Sequence, residues 1–313
     1  MNKKICFYVF RFKFLSNFAP YLRESDDDDY QIASMRKFLG AIFACVLLMF
    51  SCTGKQAQRV EEPMTDSVAD TVDSVPMDTL EQLLVETPTP KAMDEFFDDF
   101  FFNFAANNKV QKARIIFPLT VHKADKDEQI EKNKWQMDRF FMHQGYYTLI
   151  FNNDEQMQLA KDTSINQAIV ERIQLKKNQV KDYVFNRIRG AWMLREIREM
   201  KIEDNLNASF LAFYQKFVSD KAFQVKSLNS MVKFVGPDPD DDFNMMEGLI
   251  TPDTWEAFAP QLPSKTIYNI IYGDPIHEGP NKIFILRGIS NGQELELRFQ
   301  KVGERWLLMK MTT

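Results

Sequence analysis

The chain is poor in the residues that most often carry chemistry. Its 313 residues hold three cysteines and three histidines. Cys6, Cys45 and Cys52 all lie near the N-terminus, so no disulfide can form downstream of them and packing must stabilise whatever folds there. His122, His143 and His277 have no partner at metal-ligand spacing, and His277 follows "YGDPI" in loop-like sequence. There is no Gly-x-Ser-x-Gly elbow, no phosphate-binding Gly-rich loop and no Gly-x-Gly-x-x-Gly. Basic patches and arginine-rich runs are missing as well, which argues against nucleic acid as a partner. No cofactor or metal is implied. Nor does any apolar run reach the roughly 20 residues that a spanning helix requires.

What the N-terminal region does have is "RKFLGAIFACVLLMFSCTGK", residues 36–55. A basic pair, Arg36-Lys37, precedes a charge-free run from Phe38 to Phe50 and then Ser51-Cys52, which is the layout of a secretory signal. Leu48–Cys52 resembles the lipobox of bacterial lipoproteins, and its Phe-Ser-Cys ending resembles that of Bacteroides-type species. The resemblance implies cleavage before Cys52, diacylglycerol on its thiol and a third acyl chain on the new amino group, enough lipid to hold a domain at a bilayer. Met35 directly precedes the basic pair, so residues 1–34 read as sequence upstream of the true start and residues 35–51 as the signal peptide. Removing residues 1–51 takes away seven basic and five acidic side chains, from totals of 39 and 44, and leaves a formal charge of −7.

Residues 52–91, from Cys52 on, are rich in Thr, Ser, Pro and acids and read as a tether that cannot bury enough surface to fold; Thr79–Glu86 could form a transient amphipathic turn. Beyond the tether the chain repeats itself. Phe97, Phe100, Phe101 and Phe104 recur as Phe210, Phe213, Tyr214 and Phe217, each set on one face of a helix. "FNRIRGAWML" (185–194) aligns with "FQKVGERWLL" (299–308) at an offset of 114, which places Lys177-Asn178 on the hairpin signal Asn291-Gly292. "YTLIFNND" (147–154) lies near "YNIIYGD" (268–274), and Trp135 near Trp255, both read as lying on short helices. Glu294–Phe299 alternates polar and apolar residues, as a half-buried antiparallel strand does.

These patterns predict an α+β fold of two tandem cone-like halves, residues 92–203 and 204–313. Each would carry a long helix and a short helix packed on a curved antiparallel sheet, with Trp192 and Trp306 on the last strands closing the core. Helix first, then a meander ending in a Trp-bearing strand, resembles the nuclear transport factor 2-like cone. With the lipobox and the acidic tether it resembles an uncharacterised, domain-of-unknown-function family of Bacteroides-type envelope lipoproteins. That resemblance implies a pocket between helix and sheet, which in this fold serves enzymes and binding proteins alike.

Candidate chemistry is sparse. Asp238, Asp240 and Asp242 in "GPDPDDDFNMMEG" (236–248) take the first, third and fifth places of a calcium loop, but Phe243 replaces the turn glycine and Leu249 the closing glutamate, so a solvated acidic loop is expected. Asp154 and Asp274 follow equivalent strands, with Tyr147 and Tyr268 nearby; an acid and a tyrosine in an apolar pocket could act as base and oxyanion donor, although both acids read as turn residues. No catalytic residue is assigned, and Cys52 is the one modification site. The expectation is a non-catalytic envelope lipoprotein anchored to a membrane through Cys52, binding a small ligand or an envelope protein; a pocket enzyme, an isomerase or hydrolase, is the alternative. No acid follows Cys52 before Glu61, and by the same resemblance this favours the periplasmic face of the outer membrane.

Overall fold

The computed structural model describes residues 91–313 apart from 239 and 240. The upstream extension, the signal, Cys52 and the tether up to residue 90 lie outside the described residues. The first half runs through α1 (Phe97–Ala106), α2 (Asn108–Ala113), β1 (Ile115–His122), β2 (Asp127–Ile130), β3 (Tyr146–Phe151), α3 (Asp154–Gln158), β4 (Gln167–Gln174), β5 (Gln179–Ile188) and β6 (Ala191–Lys201). The second half repeats this order, without a counterpart of α3, as α4 (Ala208–Ser219), α5 (Lys221–Lys226), β7 (Leu228–Asp238), β8 (Asp241–Ile250), β9 (Thr266–Tyr272), β10 (Asn281–Gly288), β11 (Glu294–Val302) and β12 (Arg305–Thr312). The α+β class expected from the sequence is the class observed.

Both aromatic stripes form as their spacing predicts, and all eight rings are buried. Edge-on packing repeats closely between the halves. Phe97 meets Trp192 at 5.0 Å between centroids and Phe210 meets Trp306 at 5.4 Å; Phe104 on Phe185 (5.2 Å) is mirrored by Phe217 on Phe299 (5.4 Å). Each long helix stops where a short polar side chain caps the next one. Asn107 accepts from the backbone N–H groups of Lys109 and Val110, and Asp220 from those of Ala222 and Phe223. The turns between the fourth and fifth strands of each half use a left-handed residue at the aligned place, Asn178 (φ 52°) and Gly292 (φ 65°), where asparagine and glycine pay the least strain.

Three local expectations need correction. The segments between helix and Trp are hairpins, β1–β2 and β7–β8. Their inner strands pair in parallel with β6 and β12, adding one parallel pair to each otherwise antiparallel sheet. Trp135 follows a turn at residues 132–134 and Trp255 opens a 3-10 turn, so neither sits on an α-helix. Instead each indole is fixed by a glutamine of the second helix. Trp135 Nε1 donates to Gln111 Oε1 (3.1 Å) while Gln111 Nε2 donates to Phe104 O (2.9 Å); Trp255, Gln224 and Phe217 O repeat the pattern at 2.9 and 3.2 Å. The described residues of the acidic stretch 236–248 lie in the antiparallel strands β7 and β8 rather than in a loop. Asp238 stands opposite Asp241, and Asn244 donates to Asp241 Oδ2.

The halves are not self-contained. The sheets run in the order β2-β1-β6-β5-β4-β9 and β3-β10-β11-β12-β7-β8, so the third strand of each half completes the sheet of the other. β9 pairs with β4 from Ala168↔Tyr272 to Gln174↔Thr266, and β3 pairs with β10 from Ile283↔Phe151 to Gly288↔Tyr146. The pairing therefore crosses the boundary expected at 203/204. Where β3 and β9 pass one another, side chains stitch them: Thr148 Oγ1 donates to Tyr268 O and accepts from Tyr268 N–H, and Asn269 Oδ1 accepts from Ile150 N–H (2.8 Å).

Candidate functional site

The acids singled out in the sequence are at the surface. Asp154 is the first residue of α3, behind the cap Asn153, and is held by Arg298 at 2.6 and 2.8 Å, which lowers its pKa. Asp274 is exposed in a turn. Tyr147 and Tyr268 are buried, but their hydroxyls accept from Arg287 (3.2 Å) and Arg172 (2.9 Å) and meet neither acid. His277 is exposed, and His122 lies 3.0 Å from Asp127 at the surface. Among the described residues no cluster of His, Cys, Asp and Glu could hold a metal.

The folding chain gathers a different set inside the first cone. Asp138, before the 3-10 turn Phe140–His143, binds Arg172 from β4, accepts from Tyr183 of β5 (2.7 Å) and takes the Phe140 N–H (2.8 Å). Arg172 lies against the rings of Phe140, Tyr183 and Tyr268 at 5.5–5.7 Å. Burial alone would raise the Asp138 pKa; the Arg172 charge and these donors outweigh it and hold the carboxyl below its usual range. Burial likewise pushes Tyr268 to about 12. A depressed, fully engaged carboxylate and two unionised tyrosines form a structural cluster around Arg172, and its carboxylate is poorly disposed to take a proton.

A second buried set lies at the strand exchange. Glu171 (β4) receives Asn269 Nδ2 from β9 and Asn205 Nδ2 from the linker. Both amides are oriented by backbone donors, Ile150 N–H and Asn207 N–H, so both carboxyl oxygens of Glu171 act as acceptors. Lys282 (β10) donates to Asn152 and Asn207, and burial lowers its pKa to about 8. Asp182 stands opposite Glu171 in the β4–β5 register, and its Oδ1 finds no donor among the described residues. Burial first, then the Glu171 charge, push the Asp182 pKa well above the carboxylate range. None of these residues was singled out in the sequence. The readable signal was a charge inside an apolar strand, Glu171-Arg172 in "QAIVERIQ" and Lys282 in "NKIFIL".

Two openings lie against the second half. One, of about 760 Å³, runs between α4, α5 and residues 255–262, with Phe217, Val218, Trp255 and Leu262 among its walls. The other, of about 600 Å³, lies across α5 beside the β11–β12 turn and is lined by Phe213, Phe223 and Trp306 together with Lys216, Lys226 and Arg305. At the place of the first opening, the first half is filled by Phe140 and Phe141 packed on Phe101 at 4.9 and 5.6 Å. Among the described residues no helix is long and apolar enough to cross a membrane.

A crystal structure of a nuclear transport factor 2-like protein from Bacteroides fragilis is similar to this chain, with 40% identity and a TM-score of 0.65 over 72% of this chain and 98% of that one. No curated protein matches. The family described as "Domain of unknown function (DUF4348)" matches residues 76–313, and its reach, together with the cone-like halves, identifies the chain as a member of that family.

Proposed function

We propose that the chain is a lipid-anchored envelope protein whose joined cones bind a small ligand or a protein partner and do not transform it. The observation that carries this reading is the employment of Asp138 in the first cone. Asp138 is tied to Arg172, Tyr183 and a backbone N–H, while the two openings described in the second half have Phe213, Phe217, Phe223, Trp255 and Trp306 in their walls beside lysines and Arg305. General bases work best with a pKa near the operating pH, and the environment of Asp138 moves it the other way. The signal-like run ending at Cys52 supports the anchor, with the cones on the periplasmic side of the outer membrane.

Purification from native membranes followed by mass spectrometry tests both parts. The expected outcome is a mature chain that begins at acylated Cys52 and carries a bound small molecule or protein, with membrane attachment lost in Cys52→Ala. An unmodified Met1 refutes the anchor, and a bound molecule that the purified protein converts to product refutes the binding reading.

A further inference from the structure

The duplication supplies an internal comparison, because the halves differ at one equivalent corner. In the first half Arg114 fills it. Its guanidinium donates to both oxygens of Asp94 at 2.8 Å and to Trp192 O at 3.2 Å, and lies 5.6 Å from the Phe100 centroid. Asp94 Oδ1 also takes the Trp192 N–H at 3.0 Å. The offset of 113–114 puts Ser227 at the place of Arg114, Asn207 at that of Asp94, Phe213 at that of Phe100 and Trp306 at that of Trp192. Ser227 turns its hydroxyl to Phe223 O (2.8 Å), and Asn207 is drawn away to Lys282. Where the first half holds a guanidinium and a carboxylate, the second has the cavity of about 600 Å³.

The backbone donor at this corner is still present. Lys301 N–H donates to Pro280 O, so Lys301 turns its peptide groups away from β12, and Trp306 opposite it directs its own N–H outward. Leu308, two residues on, donates to Ser227 O along that same edge. In the first half Asp94 accepts the equivalent N–H; among the described residues no acceptor for the Trp306 N–H is found. Three cations, Lys216, Lys226 and Arg305, edge the opening against one acid, Glu304, and Phe213, Phe223 and Trp306 supply its apolar lining.

We propose that this cavity binds a small carboxylate with an apolar body, the ligand's carboxylate lying where Asp94 lies in the first half. There it accepts from the Trp306 N–H and is balanced by the basic rim, while the body packs on the three rings. This deepens the binding reading and rests on it.

The probe is 4-phenylbutyrate, titrated calorimetrically into the full chain, with uncharged 4-phenylbutyramide as its control. The expected result is saturable one-site binding of the acid, with the amide weaker by about tenfold or more, the scale of losing a hydrogen bond to a charged group. Arg305→Glu, on the exposed rim, weakens the acid by a similar factor without changing the melting temperature. The double substitution Ser227→Arg with Asn207→Asp, which rebuilds the first-half pair, abolishes binding. Equal binding of acid and amide, no saturable binding, or indifference to Arg305→Glu overturns the proposal; should the double variant fail to fold, Arg305→Glu decides alone. If these tests fail while a native ligand is found bound elsewhere on the protein, this site falls and the binding reading stands.

Discussion

Separating the halves at residue 203 removes β9 from the first sheet and leaves β3 without a partner. The loss can be scaled from β9 itself. Ile267, Tyr268, Ile270, Ile271 and Tyr272 are all buried at 7% exposure or less. At about 1.5–3 kcal/mol for each buried large side chain, with a reduction for residual burial in the unfolded chain, the strand contributes up to about 7–15 kcal/mol. That matches the whole net stability of a typical domain, about 5–15 kcal/mol. Residues 92–203 expressed alone therefore should not persist as a folded monomer. Their own β3 offers a remedy, since by pseudo-symmetry it can fill the place of β9 in a second copy. Analytical ultracentrifugation and far-UV circular dichroism should find either a dimer or an unfolded chain, and mixing with residues 204–313 should restore a one-to-one complex. A cooperatively folded monomer of residues 92–203 refutes the argument that the exchanged strand is indispensable.

Two further outcomes follow from the buried groups. Trp192→Ala and Trp306→Ala remove equivalent rings, exposed by 0% and 4%, and each should cost about 3–5 kcal/mol in chemical denaturation; a loss below about 1 kcal/mol at either site would contradict the packing. Asp182 has a folded pKa raised well above its unfolded one, so the fold favours its protonated form, its contribution is complete below about pH 4 and is lost as pH rises towards the folded value. Asp182→Asn keeps the neutral shape and should stabilise the protein at neutral pH, with little effect at pH 4; a gain independent of pH in chemical denaturation refutes this account.

Much of the fold was legible because its determinants are local. The Phe stripes, the Asn178 and Gly292 turns and the alternation of β11 each specify themselves within a dozen residues. The outer hairpins were not legible: β2 is four residues of "DEQI" at a sheet edge, with too little apolar content to register. Nor was the exchange, since β3 and β9 carry nearly the same pattern and either could complete either sheet. Six consecutive buried residues in β3 state that both faces are covered, but not by which half. The candidate site fared worst. Asp154 and Asp274 drew attention by their matched positions, yet the half-buried Asp138 and the buried Glu171 have Phe258 and Ile285 at the aligned places of the other half. Chemistry here lies where the repeat breaks, and a search for matched residues passes over it.

That breaking of the repeat also sets apart two halves built on one plan. The strand exchange fixes one edge of each sheet with a strand of the other half, and the shared seam of Glu171, Asn205, Asn207, Asn269 and Lys282 ties the linker into it. With the backbone held in this way, differences between the cones must be made by side chains. In the first, Arg172 with Asp138 and Arg114 with Asp94 occupy two regions with large paired groups that satisfy one another. In the second, Leu286 stands in place of Arg172, while Ser227, in place of Arg114, lines the opening of about 600 Å³. Under the proposed binding, ligand specificity can change in the second through rim residues such as Lys216 and Arg305 without disturbing the seam that holds the pair together.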